Sequence, residues 1–131
     1  MRNTFIKLMY LLFFSITAPV VVKANDFDAR FQVGLSWAKL GNYGNALIEW
    51  MPLAQAGHAW SQYNLGALAE NGTAVPQDFK NAIKWYTLAA VQGLYIAQNQ
   101  LGMLYAHGKG VPKDQKEALK WWTLAAKQGY A

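Results

Sequence analysis

Few residues of this 131-residue chain have types and spacings that could carry out a reaction. Ser36 and Lys39 have the Ser-x-x-Lys spacing of serine acyl-transfer enzymes, in which the serine is the nucleophile. The elements that accompany this pair, Ser-Asp-Asn and Lys-Thr-Gly, are absent from the sequence. Both residues also have an ordinary place on a predicted helix, so the spacing alone is weak evidence for catalysis.

The remaining chemically active residue types give no stronger pattern. His58 and His107 lack metal-ligand spacing and a nearby acid and nucleophile, so we expect surface or capping roles for both. The seven acidic residues form no pair typical of a catalytic carboxylate dyad. The absence of cysteine excludes disulfides, thiolate zinc sites and cysteine nucleophiles. The sequence therefore predicts no catalytic residues, no metal site and no cofactor.

The first 24 residues form a separate segment. A basic start without acids precedes an apolar run, and Val22 and Ala24 place small side chains before Asn25. This pattern predicts a signal peptide over residues 1–24, cleaved after Ala24, and therefore a periplasmic or secreted protein. An uncleaved anchor is the alternative, but the apolar run is short for a bilayer and Pro19 interrupts it. We expect no stable membrane span after cleavage.

Removal of this segment changes the charge of the chain. The full sequence carries a net charge of +5, whereas nine basic and seven acidic residues remain after residue 24, a net charge of +2. A protein that binds nucleic acid normally has a much larger excess of basic residues. The composition therefore gives no support for a nucleic-acid partner.

An internal repeat organises the rest of the chain. A shift of 36 residues aligns residues 57–92 with residues 93–128, and 18 of the 36 positions are identical. The recurring segments include Leu-Gly, Val-Pro-x-Asp, Ala-x-x-Trp and Leu-Ala-Ala-x-Gln-Gly. A period of this length is typical of arrays in which each unit is one supersecondary element stacked on the next.

Each repeat is predicted to be a pair of helices, A and B. Gly72 and Gly108 stand where helix A needs a left-handed C-cap, and Asp78 and Asp114 are placed as N-caps of helix B. Asp114 and Glu117 have the spacing of a capping box. The predicted helices cover residues 59–70, 79–92, 96–107 and about 115–128.

The small residues of the repeat predict how the two helices pack. Gly66 and Gly102 allow close approach in the middle of helix A, and we expect Trp85 and Trp121 to fill the wider gap nearby. The buried face of helix B is predicted from the helical spacing of its apolar residues. In the first full repeat this face comprises Ala82, Trp85, Leu88 and Ala89.

A shorter unit precedes the two full repeats. Gly34 and Ala46 match Gly66 and Ala82, with four residues fewer between them. Pro52 is predicted to kink or end the second helix of this unit near Met51. An irregular first unit fits an N-terminal cap. The predicted divisions after the signal peptide are residues 25–57, 58–93 and 94–131.

The pattern A-x-x-x-L-G-x-x-Y-x-x-G-x-G-V-x-x-D-x-x-x-A-x-x-W-x-x-x-A-A-x-x-G resembles the Sel1-like repeat, a relative of the tetratricopeptide repeat. Residues 97–129 match every anchor of the pattern, and the preceding copy departs from it at Ser61, Ala69 and Ala74. The first unit resembles a plain tetratricopeptide unit. The resemblance implies an all-α, right-handed α-solenoid of about three units and six helices, whose helices A line a concave groove. It also implies adaptor or scaffold roles.

The predicted groove combines aromatic, amide and aliphatic side chains. Such a mixture suits a protein or peptide ligand better than a polyanion. Packing between repeats is the alternative role for some of these residues. The predicted groove residues are Phe31, Leu35, Lys39, Trp60, Tyr63, Ala67, Asn71, Asn99, Met103 and His107.

We expect a non-enzymatic adaptor in the cell envelope or the secreted space. One alternative is an exported enzyme of the β-lactam-interacting kind, because the resemblance extends to cysteine-rich exported Sel1-like proteins associated with β-lactam binding. This chain lacks their cysteines. Another alternative is a structural fragment of a larger repeat assembly. The outer face of the last helix, with Leu119 and Trp122, lacks a neighbour, and self-association or a partner helix would cover it.

Overall fold

The computed structural model describes residues 23–129, and almost all of the predicted signal peptide lies outside this part. The regular secondary structure within residues 23–129 is entirely helical. The helices are α1 (Ala24–Lys39), α2 (Tyr43–Gln55), α3 (Ala59–Asn71), α4 (Phe79–Val91), α5 (Tyr95–His107) and α6 (Gln115–Ala126). None of these helices combines the length and the apolar character needed to cross a bilayer.

The six helices form three antiparallel pairs that stack in chain order. Helices α1 and α2, α3 and α4, and α5 and α6 pack as A–B pairs, and α2–α3 and α4–α5 contacts join one pair to the next. This arrangement confirms the predicted all-α solenoid of helix-turn-helix units. Contacts follow the chain locally, as expected for a repeat architecture in which each unit touches its neighbours.

The predicted caps set the helix ends. Gly72 and Gly108 have φ angles of 68° and 66°, the left-handed conformation predicted for the C-caps of α3 and α5. The Asp78 carboxylate accepts a hydrogen bond from the backbone N–H of Asn81 at the start of α4. Because these signals are local in sequence, the predicted helix boundaries agree with the structure to within about two residues.

The capping box at the start of α6 forms only in part. The Asp114 carboxylate accepts a hydrogen bond from the backbone N–H of Glu117, as predicted. The return bond is absent from this turn because the N–H of Asp114 donates to the carbonyl of Tyr105. The Glu117 carboxylate instead lies 3.5 Å from the ammonium group of Lys120.

In every unit, a glycine in the middle of helix A lies against an aromatic ring of helix B. The pairs are Gly34 with Trp50, Gly66 with Tyr86 and Gly102 with Trp122. A Cβ atom at Gly66 would lie 2.6 Å from Cδ1 of Tyr86, well inside van der Waals contact. The close packing of the two helices therefore requires glycine at this position.

The ring at this contact is not the one predicted from the sequence. Trp85 and Trp121 precede the contacting rings by one residue and pack toward the preceding unit. One residue corresponds to about 100° of rotation around a helix, so adjacent aromatic residues face different neighbours. Trp122 lies against Gly102 within its own unit, and it remains exposed on its other side, as expected for a last helix without a following neighbour.

The buried face of helix B is correspondingly rotated about the helix axis relative to the predicted face. Leu88 was expected on this face, but its side chain is exposed. The buried residues of α4 are Ala82, Ile83, Tyr86, Ala89 and Ala90. These residues join the core formed with α5 and Trp121, while a second core surrounds Trp50, Leu65 and Leu68. Val75 packs against both cores and makes them continuous.

Pro52 was predicted to kink or to end the helix, and it does not end it, because α2 continues through Pro52 to Gln55. Proline removes one intrahelical hydrogen bond. The following residues, Leu53 and Ala54, are almost completely buried. We attribute the continuation of the helix to the burial of this last turn against the neighbouring helices, which offsets the lost bond.

The turn between helices A and B contains a strained alanine. Gly110 has a φ angle of 75°, and a Cβ atom there would lie 2.7 Å from the backbone of Phe79. Ala74 occupies the equivalent position in the preceding unit and has a φ angle of 63°. Left-handed backbone is unfavourable for alanine because its Cβ approaches the following carbonyl oxygen.

Replacement of Gly66 by leucine should destabilise the protein by about 1–3 kcal/mol, because the side chain overpacks the contact with Tyr86. Thermal or urea unfolding measures the change. Gly44→Leu is the matched control, since a Cβ atom at Gly44 meets only the Asn42 side chain, at 3.8 Å. Equal unfolding midpoints for the two variants would contradict the proposed packing role of Gly66.

Replacement of Ala74 by glycine should stabilise the protein by about 0.5–1 kcal/mol, because relief of the left-handed strain exceeds the entropy that glycine adds to the unfolded chain. Gly110→Ala should have the opposite effect, since it adds both strain and a collision with Phe79. Urea unfolding of both variants measures the two shifts. Destabilisation by Ala74→Gly would show that the alanine conformation carries no net strain.

Candidate binding surface

The helices A lie side by side along the array. The Phe31 ring of α1 packs edge-on against His58, the N-cap of α3, at 5.1 Å between ring centroids. Gln100 of α5 donates a hydrogen bond of 3.4 Å to the Glu70 carboxylate of α3. The side chains at equivalent outward positions of these helices therefore form one surface, here named the helix-A surface. It comprises Asp28, Gln32, Lys39, Trp60, Asn64, Asn71, Ile96, Gln100 and His107.

Four of the ten predicted groove residues belong to this surface. Their side chains are exposed on helices α1, α3 and α5. They are Lys39, Trp60, Asn71 and His107.

The other predicted groove residues face the junctions between units. Phe31 and Leu35 pack against the core around Trp50, and Tyr63 and Ala67 pack against the core around Tyr86. Asn99 is half-buried, and its carbonyl accepts a hydrogen bond from the Trp122 indole. Met103 is at the position equivalent to Leu35 and Ala67, and it is exposed because no described helix follows α6. These residues therefore have the alternative role that the sequence left open, which is packing between repeats.

Sequence reasoning missed the amide residues of the surface. Gln32, Asn64 and Gln100 occupy equivalent positions in the three units, one residue after Phe31, Tyr63 and Asn99. The recurrence of an amide side chain in all three units was a usable signal, although the residue itself changes from one unit to the next. Amides hydrogen-bond both donors and acceptors, so this row can recognise a peptide backbone.

A polar cluster crosses from α3 to α5. The hydroxyl of Tyr86 donates a hydrogen bond of 2.6 Å to the Glu70 carboxylate, which also accepts from Gln100. Burial, followed by the interaction with Glu70, raises the pKa of Tyr86 far above its ordinary value. The phenol therefore remains a donor at physiological pH and holds the carboxylate at the junction of the two helices.

An exposed tryptophan lies beside this cluster. The Trp60 ring meets Tyr63 edge-on at 6.2 Å, and Tyr63 in turn packs against Tyr86 at 5.5 Å. Burial and the nearby Glu70 carboxylate raise the pKa of Tyr63, which keeps its hydroxyl neutral. The side-chain nitrogen of Asn64 is buried, and no hydrogen-bond acceptor among the described residues reaches it. Trp60 is thus a large apolar side chain supported by the core yet open to solvent.

His58 has the capping role predicted for it. Its Nδ1 atom accepts a hydrogen bond from the backbone N–H of Ser61 at the start of α3. The imidazole also stacks on Phe27 at 5.6 Å and meets Phe31 edge-on. Burial lowers the pKa of His58, and the Asp28 carboxylate opposes this shift only in part. The neutral ring therefore caps α3 and joins it to α1.

The remaining candidate residues have ordinary helical roles. The Ser36 hydroxyl donates a hydrogen bond of 2.9 Å to the carbonyl of Gln32, and Lys39 is exposed at the end of α1. His107 pairs its Nδ1 atom with the carbonyl of Met103 at 2.8 Å. Residues 23–129 contain no cluster of three or more histidine, cysteine or acidic side chains that could hold a metal ion.

A family model described as Sel1 repeat matches residues 61–94 and 96–130. The crystal structure of a protective antigen of uropathogenic Escherichia coli strains, which displays an SLR fold, is similar, with 37% sequence identity and a TM-score of 0.74. The match covers 79% of this chain and 23% of that antigen. A Sel1 repeat protein from Oxalobacter formigenes is 32% identical, with a TM-score of 0.72, over 77% of this chain and 40% of that one.

The chain thus spans less than half the length of either similar structure. No curated protein matches it significantly.

The stability of the protein should fall as the pH drops below 6.5, the ordinary pKa of histidine. The pKa of His58 is lower in the folded than in the unfolded chain, so the unfolded chain takes up the proton first. The loss is complete once the pH is below the folded-state pKa. Urea unfolding between about pH 5 and 8 measures it, above the range in which most carboxylates titrate.

His58→Asn should remove most of this dependence, because asparagine retains a capping oxygen and does not titrate. His107→Asn is the control and should leave the dependence intact. An unchanged pH profile in His58→Asn would show that other groups cause the loss of stability.

Proposed function

Because the chain belongs to the Sel1 repeat family, we propose that it is a scaffold that binds a protein or peptide on its helix-A surface. Members of this family are commonly protein–protein interaction scaffolds. The proposal is specific in naming the surface and the chemical class of the ligand.

The exposed ring of Trp60 carries the proposal. Its side chain is 42% exposed although it contacts Tyr63 and, through Tyr63, the core. Tryptophan held in a fixed orientation at a surface is typical of residues that dominate binding energy, because it offers a large apolar area at a small entropic cost. Tyr63 packs against the core and Trp60 is open to solvent, so we assign a structural role to Tyr63 and a binding role to Trp60.

The polar side chains around Trp60 favour a peptide over a polyanion. The amides of Gln32, Asn71 and Gln100 can pair with backbone groups of an extended or helical segment. Glu70 adds a carboxylate that its neighbours hold in place. A surface of this composition contains no cluster of cations and therefore lacks the main attraction for phosphate groups.

We propose further that this binding takes place in the periplasm or outside the cell. The signal peptide predicted for residues 1–24 supports this location. N-terminal sequencing of the exported chain checks it, with Asn25 as the expected first residue.

A phage-displayed library of random peptides, selected on the immobilised chain, tests the proposed surface. Loss of a dominant aromatic contact costs about 2 kcal/mol or more of binding free energy. Trp60→Ala should therefore lower the affinity for the selected peptides by about 30-fold. Titration calorimetry or fluorescence anisotropy measures the affinities. Far-UV circular dichroism verifies that the variant is folded.

Leu88→Ala is the matched control, because Leu88 is 46% exposed and lies on α4, outside the helix-A surface. The Leu88→Ala variant should bind the selected peptides with the same affinities as the unsubstituted chain. Equal binding of the peptides by Trp60→Ala and the unsubstituted chain would refute the helix-A surface as the binding site.

A further inference from the structure

The last described unit exposes a face that the earlier units bury. Trp50 and Tyr86 are 4% and 0% exposed, whereas Trp122, at the equivalent position of α6, is 37% exposed. Likewise, Ile83 of α4 is 9% exposed and its counterpart Leu119 is 63% exposed. The difference arises because a following helix A covers the first two units. We name this open region the C-terminal face; it comprises Asn99, Met103, Leu119, Trp122 and Ala126.

Helix α1 carries the complementary half of the same junction. Leu65 of α3 packs against the preceding unit and is 3% exposed. Val33, at the equivalent position of α1, is 46% exposed. The side chains next to Val33 on this side of the helix are also solvent-accessible. We name this region the N-terminal face; it comprises Ala29, Arg30, Val33 and Ser36. The two faces are therefore the separate halves of one interlocking surface that occurs twice inside the chain.

The polar groups of the two faces also correspond. Inside the chain, Gln62 donates a hydrogen bond of 3.1 Å to the carbonyl of Ala54, and the equivalent glutamine of α5 makes the same bond one unit later. The equivalent donor on α1 is Arg30, and the equivalent carbonyl on α6 is that of Ala126. The Arg30–Glu49 ion pair engages Nε of the guanidinium, which carries four further N–H donors.

Charge favours contact between unlike ends. Residues 23–78 contain five acidic and three basic side chains, whereas residues 79–129 contain seven lysines and two acids. Asp26 and Asp28 are exposed on α1, where Arg30 is paired with Glu49 and the other basic residues, Lys23 and Lys39, lie at the two ends of the helix. Lys116 and Lys120 are exposed on α6, and Lys127 is exposed at its C-cap. Opposite charges attract two copies head to tail, and like charges oppose pairing of two identical ends.

We propose that a second copy of this chain docks its N-terminal face onto the C-terminal face of the first, so that α1 continues the array. Val33 then covers Leu119 and Trp122, as Leu101 covers Ile83 and Tyr86 inside the chain. Because the two faces differ, the contact is heterologous, and further copies add at each free end. The helix-A surface becomes continuous from one copy to the next. This inference does not depend on the proposed peptide binding.

Analytical ultracentrifugation of the full chain tests the association. The weight-average mass should rise with concentration to at least twice the monomer mass, and the rise should weaken at high salt because the end charges are screened. A monomer at every concentration would overturn the proposal.

Two variants test the head-to-tail arrangement. Val33→Glu places a charge in the N-terminal face and Leu119→Glu places one in the C-terminal face, so each variant alone should remain monomeric. Each retains one intact face, so an equimolar mixture should form dimers that grow no further. Self-association of Val33→Glu alone would indicate pairing of two C-terminal faces and would overturn the arrangement, as would a mixture that stays monomeric.

Leu88→Glu is the matched control, since Leu88 has the same 46% exposure as Val33 and belongs to neither face. It should associate like the unsubstituted chain. Thermal unfolding followed by circular dichroism confirms that all three variants remain folded. Loss of association in Leu88→Glu would show that any added charge has this effect and would overturn the assignment of the faces.

Discussion

The contact between a helix A glycine and a helix B aromatic ring is the constraint on which the rest of the structure depends. At Gly66 the Tyr86 ring lies so close that even a methyl group does not fit. The other two units use tryptophan, and the indole of Trp50 donates to the carbonyl of Phe31 on the facing helix. This contact sets the spacing within each pair. It also leaves the neighbouring aromatic residue, such as Trp85, to pack against the preceding unit.

Because each pair buries only part of its apolar surface, the units depend on one another. The core around Tyr86 includes residues of α5 and α6, and buried glutamines such as Gln62 connect helix A to the last turn of the preceding helix B. The first unit has Arg30 at this position, paired with Glu49. Stability in such an array is approximately the sum of unit and junction contributions, so a change at one junction affects both neighbours.

The same constraint separates structural from functional residues. Most residues that recur between repeats are explained by packing, capping or turns, and they carry the fold that the family shares. The proposed binding surfaces consist mainly of residues that differ between repeats, and Trp60 on the helix-A surface is the clearest case. The proposed peptide-binding side of the array and the proposed contact between its two unlike ends both follow from one repeated geometry.

The sequence by itself determined the repeat, the number and approximate bounds of the helices, and the caps at Gly72 and Asp78, because these depend on residues close together in the chain. It did not determine which side of each helix is covered. A shift of one residue separates Trp85 from Tyr86, and hydrophobic periodicity does not resolve this rotation when both residues are aromatic. The partial burial of Tyr63, the exposure of Leu88 and the continuation of α2 all depend on what the neighbouring unit covers, which only tertiary packing decides.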